Sequence, residues 1–121
     1  MKKTLACLIL SLVLAGCETT LPDRAFARYE RIQREVDAYY HCGERQAFDM
    51  ATTALRPRDI ATAAKGSCSR KRNRMLHRMQ RLYASASWSR LTIDIDQTFR
   101  ERAIAVVFDR RAELRAQGLP Y

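Results

Sequence analysis

Residues 42–68 read CGERQAFDMATTALRPRDIATAAKGSC, a segment that opens and closes on cysteine and carries Arg56-Pro57-Arg58 just past its middle. The residue before a proline avoids helical backbone angles, and proline itself suits the first turn of a new helix. A helix therefore ends ahead of Pro57 and another begins there. The midpoint of positions 42 and 68 is residue 55. In an antiparallel helical hairpin, residues equidistant from the turn lie level with each other, so the proline and the cysteine spacing specify the same fold independently.

Periodicity extends this reading in both directions. Upstream, Phe26, Tyr29, Ile32, Val36, Tyr39 and Tyr40, then Ala47, Ala51 and Leu55, recur at helical spacing and predict one long helix over about 23–55, with Asp23 as N-cap behind Pro22. Gly43 falls near that stripe and weakens the helix locally. Downstream, Ile60, Ala64, Cys68, Met75, Met79, Leu82 and Ala86 form a second stripe. It runs through Gly66 without slipping, which leaves this helix either continuous or broken at Gly66. Ser85-Ala86-Ser87-Trp88-Ser89 reads as a loop. A third stripe follows through Ile95, Phe99, Ala103, Val106, Val107 and Leu114, with Asp94 and Gln97 as a capping-box variant and Gly118-Leu119-Pro120 as a stop. Leu91, Ile93 and Ile95 alternate like a strand, but a lone strand has nothing to pair with. The expected fold is all-α: an antiparallel helical hairpin plus a third helix, a three-helix bundle over residues 23–121.

The chain has 121 residues, a formal net charge of +9 and 47% hydrophobic residues. Few Gly or Pro accompany them, which excludes disordered and collagenous classes and points to one domain. The chain opens MKKTLACLILSLVLAGC, two lysines and then an uncharged apolar stretch from Leu5 to Ala15 that is short for a permanent membrane span. It reads as an export signal.

Leu14-Ala15-Gly16-Cys17 resembles the lipobox of bacterial lipoproteins. The resemblance covers the first seventeen residues. It implies that residues 1–16 are removed, that Cys17 carries lipid through a thioether, and that residues 17–22 are the anchor and a short linker. It also implies anchoring in the cell envelope. Glu18 stands where enteric inner-membrane lipoproteins carry Asp, which favours the outer membrane facing the periplasm. With Cys7 leaving in the signal and Cys17 acylated, Cys42 and Cys68 remain in a compartment where disulfides persist, so a disulfide between them is expected to clamp the hairpin. The stretch from Tyr39-Tyr40-His41-Cys42 through Asp59-Ile60-Ala61-Thr62-Ala63-Ala64 to Cys68 more loosely resembles small exported proteobacterial helical proteins in which two cysteines flank an alanine-rich segment. That resemblance supports the disulfide and says nothing of mechanism.

Sites for chemistry are sparse. His41-Cys42-Gly43-Glu44 holds three potential metal ligands, but consecutive helical positions diverge and an oxidised cysteine is no ligand, so no metal and no cofactor is expected. His77 lies among arginines that repel a cation. No GxSxG or HExxH motif occurs. Asp94 and Asp96 could form an acid and base pair, as in glycosidases, but capping a helix start explains them more simply. No catalytic residue is assigned.

Charge is the informative remainder. Residues 70–81, RKRNRMLHRMQR, hold six Lys or Arg, whereas residues 23–41 and 92–115 each balance Arg against acid. On a helical wheel Arg70, Arg74, Arg78 and Arg81 fall within an arc of about 80°, a ridge about 16 Å long opposite Met75, Met79 and Leu82. Lys71 and Arg72 lie at the core margins, where their stems cover apolar surface. Glu30, Glu35 and Asp37 stand beside the run across the hairpin and neutralise part of it. One reading makes the ridge a solvated face, written in arginine because this chain prefers Arg to Lys. The other makes it a contact surface for anionic lipid, lipopolysaccharide phosphate or an acidic envelope protein. Export removes nucleic acid as a partner. The expected function is a membrane-anchored, non-catalytic structural or interaction module of the envelope. The alternative is an envelope enzyme or a regulator of a peptidoglycan-directed enzyme, for which only Asp94, Asp96 and the histidines offer material.

Overall fold

The computed structural model describes the backbone of residues 23–82 and 85–120 and the side chains of residues 30–82 and 88–120. These residues form four helices: α1 (Asp23–Met50), α2 (Pro57–Ser67), α3 (Ser69–Leu82) and α4 (Ser85–Ala116). No strand occurs among the described residues, and the Leu91, Ile93 and Ile95 alternation lies inside α4. The all-α expectation holds, but with four helices in place of three. Each boundary that moved has a local cause.

The first helix ends at Met50, short of the expected residue 55, and Leu55 is an exposed turn residue at 47%. The chain leaves the helix in a tight turn in which the Thr53 amide and hydroxyl both donate to the Met50 carbonyl, at 3.0 and 2.7 Å. Helix C-termini leave carbonyls without partners, and here a distant cation supplies them. The Arg111 guanidinium of α4 donates to the carbonyls of Ala51, Thr53 and Leu55 at 3.0, 2.9 and 2.6 Å. The next helix starts as the sequence demands, with Arg56 extended (φ −66°, ψ 147°) and Pro57 in the first turn.

The second expected helix is interrupted at Cys68, not at Gly66, which lies within α2. Cys68 departs to φ −93°, ψ 10°, although its amide still reaches Ala64 and its carbonyl still accepts from Arg72. Gly66 and Ser67 are weak helix formers, so the helix yields where Cys68 reaches across to Cys42. The final helix begins at Ser85, so the expected loop 85–89 is helical instead. Serine is favoured at helix starts, and the small polar run opens α4 rather than separating from it. Asp94 and Gln97 consequently lie inside α4, not at a capping box.

Contact partners fix the helix directions. Glu35 meets Arg78 and Cys42 is bonded to Cys68, so α2 and α3 together return along α1. Tyr39 stacks on Phe99, Glu44 pairs with Arg102 and Ala51 accepts from Arg111, so α4 runs parallel to α1. Two clusters fill the space between. One is built from larger side chains, among them Val36, Tyr39, Met75, Met79, Ile95 and Phe99. The other, towards the α1–α2 turn, is built from Ala47, Ala51, Ile60, Ala61, Ala103 and Val107, whose small side chains let the helices approach closely.

Gly43 is needed where α1 meets α4. A Cβ placed there would collide with Cε2 and Cζ of Phe99, a ring that is 1% exposed and stacked on Tyr39 at 4.3 Å. Gly43→Ala should therefore destabilise the fold by about 1–3 kcal/mol in denaturant unfolding, even though alanine is the better helix former by about 1 kcal/mol. A stabilised Gly43→Ala variant would show that Phe99 can move aside freely. The disulfide closes across 26 residues with Cα atoms 6.0 Å apart. Replacing both Cys42 and Cys68 with Ser should lower unfolding free energy by about 3 kcal/mol, chiefly by freeing the unfolded chain. An unchanged denaturation midpoint with an unchanged slope would refute that contribution.

Candidate functional site: a basic cleft between α1 and α3

The helical period of α3 turns Met75 and Met79 fully inward, both at 0% exposure, and so sends the intervening arginines outward. Arg70, Arg74, Arg78 and Arg81 are all exposed, as the ridge requires. They do not act as one surface, however. Arg74, Arg78 and Arg81 line a cleft of about 580 Å³ together with Arg31, His77 and Leu82, while Arg70 stands outside it. Arg31 belongs to α1, and the hairpin carries it level with the end of α3. The register that pairs Cys42 with Cys68 could have identified it from sequence, since positions 31 and 81 are nearly equidistant from the same turn.

Charges in the cleft are only partly balanced. Arg78 pairs with Glu35 at 3.2 Å, which also fixes its direction. Arg81 donates to Nε2 of His77, so that ring nitrogen acts as an acceptor. Among the described residues neither Arg31 nor Arg74 has an acidic partner. Guanidinium groups present forked donors whose geometry matches carboxylate and phosphate oxygens.

A second polar constellation lies deeper and is structural in character. Asp96 of α4 accepts from Arg72 of α3 at 2.9 and 2.6 Å, from Lys65 of α2 at 2.8 Å and from the Tyr39 hydroxyl of α1 at 3.1 Å. One carboxylate thus ties all four helices. Burial pushes its proton affinity up, but hydrogen bonds from Arg72 and Lys65 and their charges outweigh this and hold the carboxyl at about 2. Burial in turn holds the Tyr39 hydroxyl well above its ordinary value, reinforced by the Asp96 carboxylate. Arg72 was expected only to cover apolar surface with its stem, and Asp96 to cap a helix; the sequence offers no signal that the two meet.

The remaining candidates do not converge. Asp94 is exposed and Asp96 is half-buried in its cation cluster; two positions apart on a helix, they face away from each other at about 200°. His41 pairs with Glu44 at 3.0 Å on an exposed face, and Cys42 is consumed by its disulfide. Among the described residues no group of three or more His, Cys, Asp or Glu is placed to hold a metal ion. No described helix is long and apolar enough to cross a membrane. Cys17 lies outside the described residues.

The Asp96 cluster makes stability depend on acid in a defined way. The carboxyl falls from its ordinary 3.8 to about 2 on folding, so its contribution is complete above about pH 4 and is lost as the pH drops towards 2. The loss should be about 2 kcal/mol in urea unfolding followed between pH 5 and pH 2. Asp96→Asn should be less stable than the parent at pH 7 by a similar amount and should flatten that acid limb. An acid limb of equal size in the variant would assign it to other carboxylates.

No protein family, curated protein or solved structure matches the chain, so its function is read from its own residues.

Proposed function

We propose that the chain is a membrane-anchored lipoprotein of the cell envelope, a non-catalytic interaction module whose basic cleft contacts an anionic surface. The observation that carries this reading is the convergence of Arg31, Arg74, Arg78 and Arg81 from two helices on one cleft, with Arg31 and Arg74 lacking acidic partners among the described residues. The lipobox-like Leu14-Ala15-Gly16-Cys17 supports the anchor, with residues 1–16 as the signal, and Glu18 supports the periplasmic face of the outer membrane as the location. Only residues 18–22 separate Cys17 from the first residue of α1, and the six steps from Cys17 to Asp23 span at most about 22 Å when fully extended. The cleft opens at the end of the bundle where α1 begins and α3 finishes. An anchor there would bring the cleft to the membrane, while the small-residue cluster and the α1–α2 turn point away from it.

Expression in a Gram-negative host followed by intact mass under non-reducing conditions tests the anchor directly. The expected species begins at Cys17, carries acyl chains and is two hydrogens lighter than its reduced form. Cys17→Ser should abolish acylation and shift the chain out of the membrane fraction. An unacylated Cys17 in the parent would overturn the lipoprotein reading, and peptidoglycan turnover by the purified chain, abolished by one side-chain change, would overturn the non-catalytic one.

A further inference from the structure

We propose that the cleft between α1 and α3 is a discrete site for one phosphate-bearing lipid headgroup of the membrane to which the chain is anchored. This deepens the reading above and rests on it for the source of the ligand. A solvated arginine face repels itself apart, with each guanidinium paired or directed into water. Here the arginines are exposed but not spread apart, because Arg31 arrives from α1 to join Arg74, Arg78 and Arg81 of α3 around one concave volume. That volume, about 580 Å³, lies in the range of small-molecule sites and exceeds what a single ion needs.

The components divide the work. Glu35 engages Arg78 at 3.2 Å and draws its guanidinium across the interface between the helices. Arg81 donates to Nε2 of His77, one turn earlier on α3. Arg31 and Arg74, without acidic partners among the described residues, are then the forks available to phosphate oxygens. Four guanidiniums against the single carboxylate of Glu35 leave a surplus of three positive charges, which a phosphomonoester of about −1.5 to −2 reduces without reversing. Leu82 supplies an apolar margin for the glycerol or sugar carbons that a headgroup adds to its phosphate.

Position argues for a headgroup over a free anion. Arg31 lies eight residues into α1, about 12 Å along its axis. Together with a linker span of at most about 22 Å, this confines the cleft to within about 35 Å of an acylated Cys17. Headgroup phosphates of that same membrane are then present at very high effective concentration, so even a modest intrinsic affinity keeps the cleft occupied.

The test uses the full chain, disulfide intact, held in dodecyl maltoside micelles and titrated calorimetrically at physiological salt. The probes are dihexanoyl phosphatidic acid, dihexanoyl phosphatidylserine, inorganic phosphate and a short DNA duplex. Phosphatidic acid should saturate at one per chain. Arg31→Ala and Arg74→Ala should each weaken it about tenfold, as expected for a lost charge-assisted contact, while Arg70→Ala and Arg45→Ala leave it unchanged. The double variant Arg31→Lys with Arg74→Lys keeps the net charge but lacks the forks, and should bind at least about fivefold more weakly than the parent. Far-UV circular dichroism and non-reducing mass confirm that each variant is folded. Equal binding by the double-lysine variant, or equal weakening by Arg70→Ala, would overturn a discrete site in favour of diffuse attraction. Inorganic phosphate binding as tightly as phosphatidic acid would overturn the headgroup as occupant, and preferential binding of duplex DNA would replace it with nucleic acid. Each of these failures leaves Cys17 acylation to be judged separately by mass, so the site and the anchor stand or fall apart.

Discussion

All four helices of the described residues are held to the same carboxylate. Asp96 accepts hydrogen bonds from Tyr39, Lys65 and Arg72, one residue on each of the other three described helices, close along α4 to Phe99, the ring that packs against Gly43 of α1. The Tyr39 ring stacks on Phe99, which fills the space that Gly43 leaves open, and Gly43 adjoins the cysteine bonded to α2's end. An ion node, a close helix contact and a covalent bond therefore share one cross-section. Such an arrangement makes the fold intolerant there. A charge removed from a half-buried cluster leaves its partners desolvated, and an added methyl group meets a ring with nowhere to go.

On either side of that layer the bundle has different chemistry. Towards the α1–α2 turn, alanines bring the helices close together and Arg111 closes the end of α1 through backbone carbonyls. Towards the start of α1, methionines fill the interior and arginines occupy the margin. Alanine contacts permit close approach but bury little area, so the turn end relies on hydrogen bonds and ion pairs for definition. Methionine fills irregular space and tolerates change, so the other end can carry a dense set of like charges without strain in its core.

Much of the fold was legible because it rests on local rules. Proline at 57 dictated a break, the apolar period dictated helices, and the cysteine spacing dictated their register. The features that escaped are those set by long side chains reaching between helices. Nothing local to Asp96 distinguishes it from Asp94, yet one organises the interior and the other faces water, because two steps along a helix reverse direction. Arg111 looked like one arginine among many. It acquired its role only from where α4 crosses the turn, where it donates to the carbonyls of Ala51, Thr53 and Leu55 that follow the end of α1. Cys68 broke a continuous stripe because its bond to Cys42 coincides with the weak helical run at Gly66 and Ser67. The outward face of the basic run is legible in its helical period, but the shape of the cleft depends on Arg31, which only the cysteine register, and nothing in its balanced surroundings in α1, brings level with the end of α3.

The reach of Arg111 has a consequence for the order in which the chain is made. Its three acceptor carbonyls lie 56 to 60 residues behind it, and chains emerge from the ribosome N-terminus first. Both partners of the disulfide are therefore synthesised before the residue that seals the turn between them. Closing the hairpin covalently requires nothing from α4, whereas completing its turn does. The last turns of α4 are thus a latch on a hinge whose two leaves, ending at Cys68, come before it in the chain.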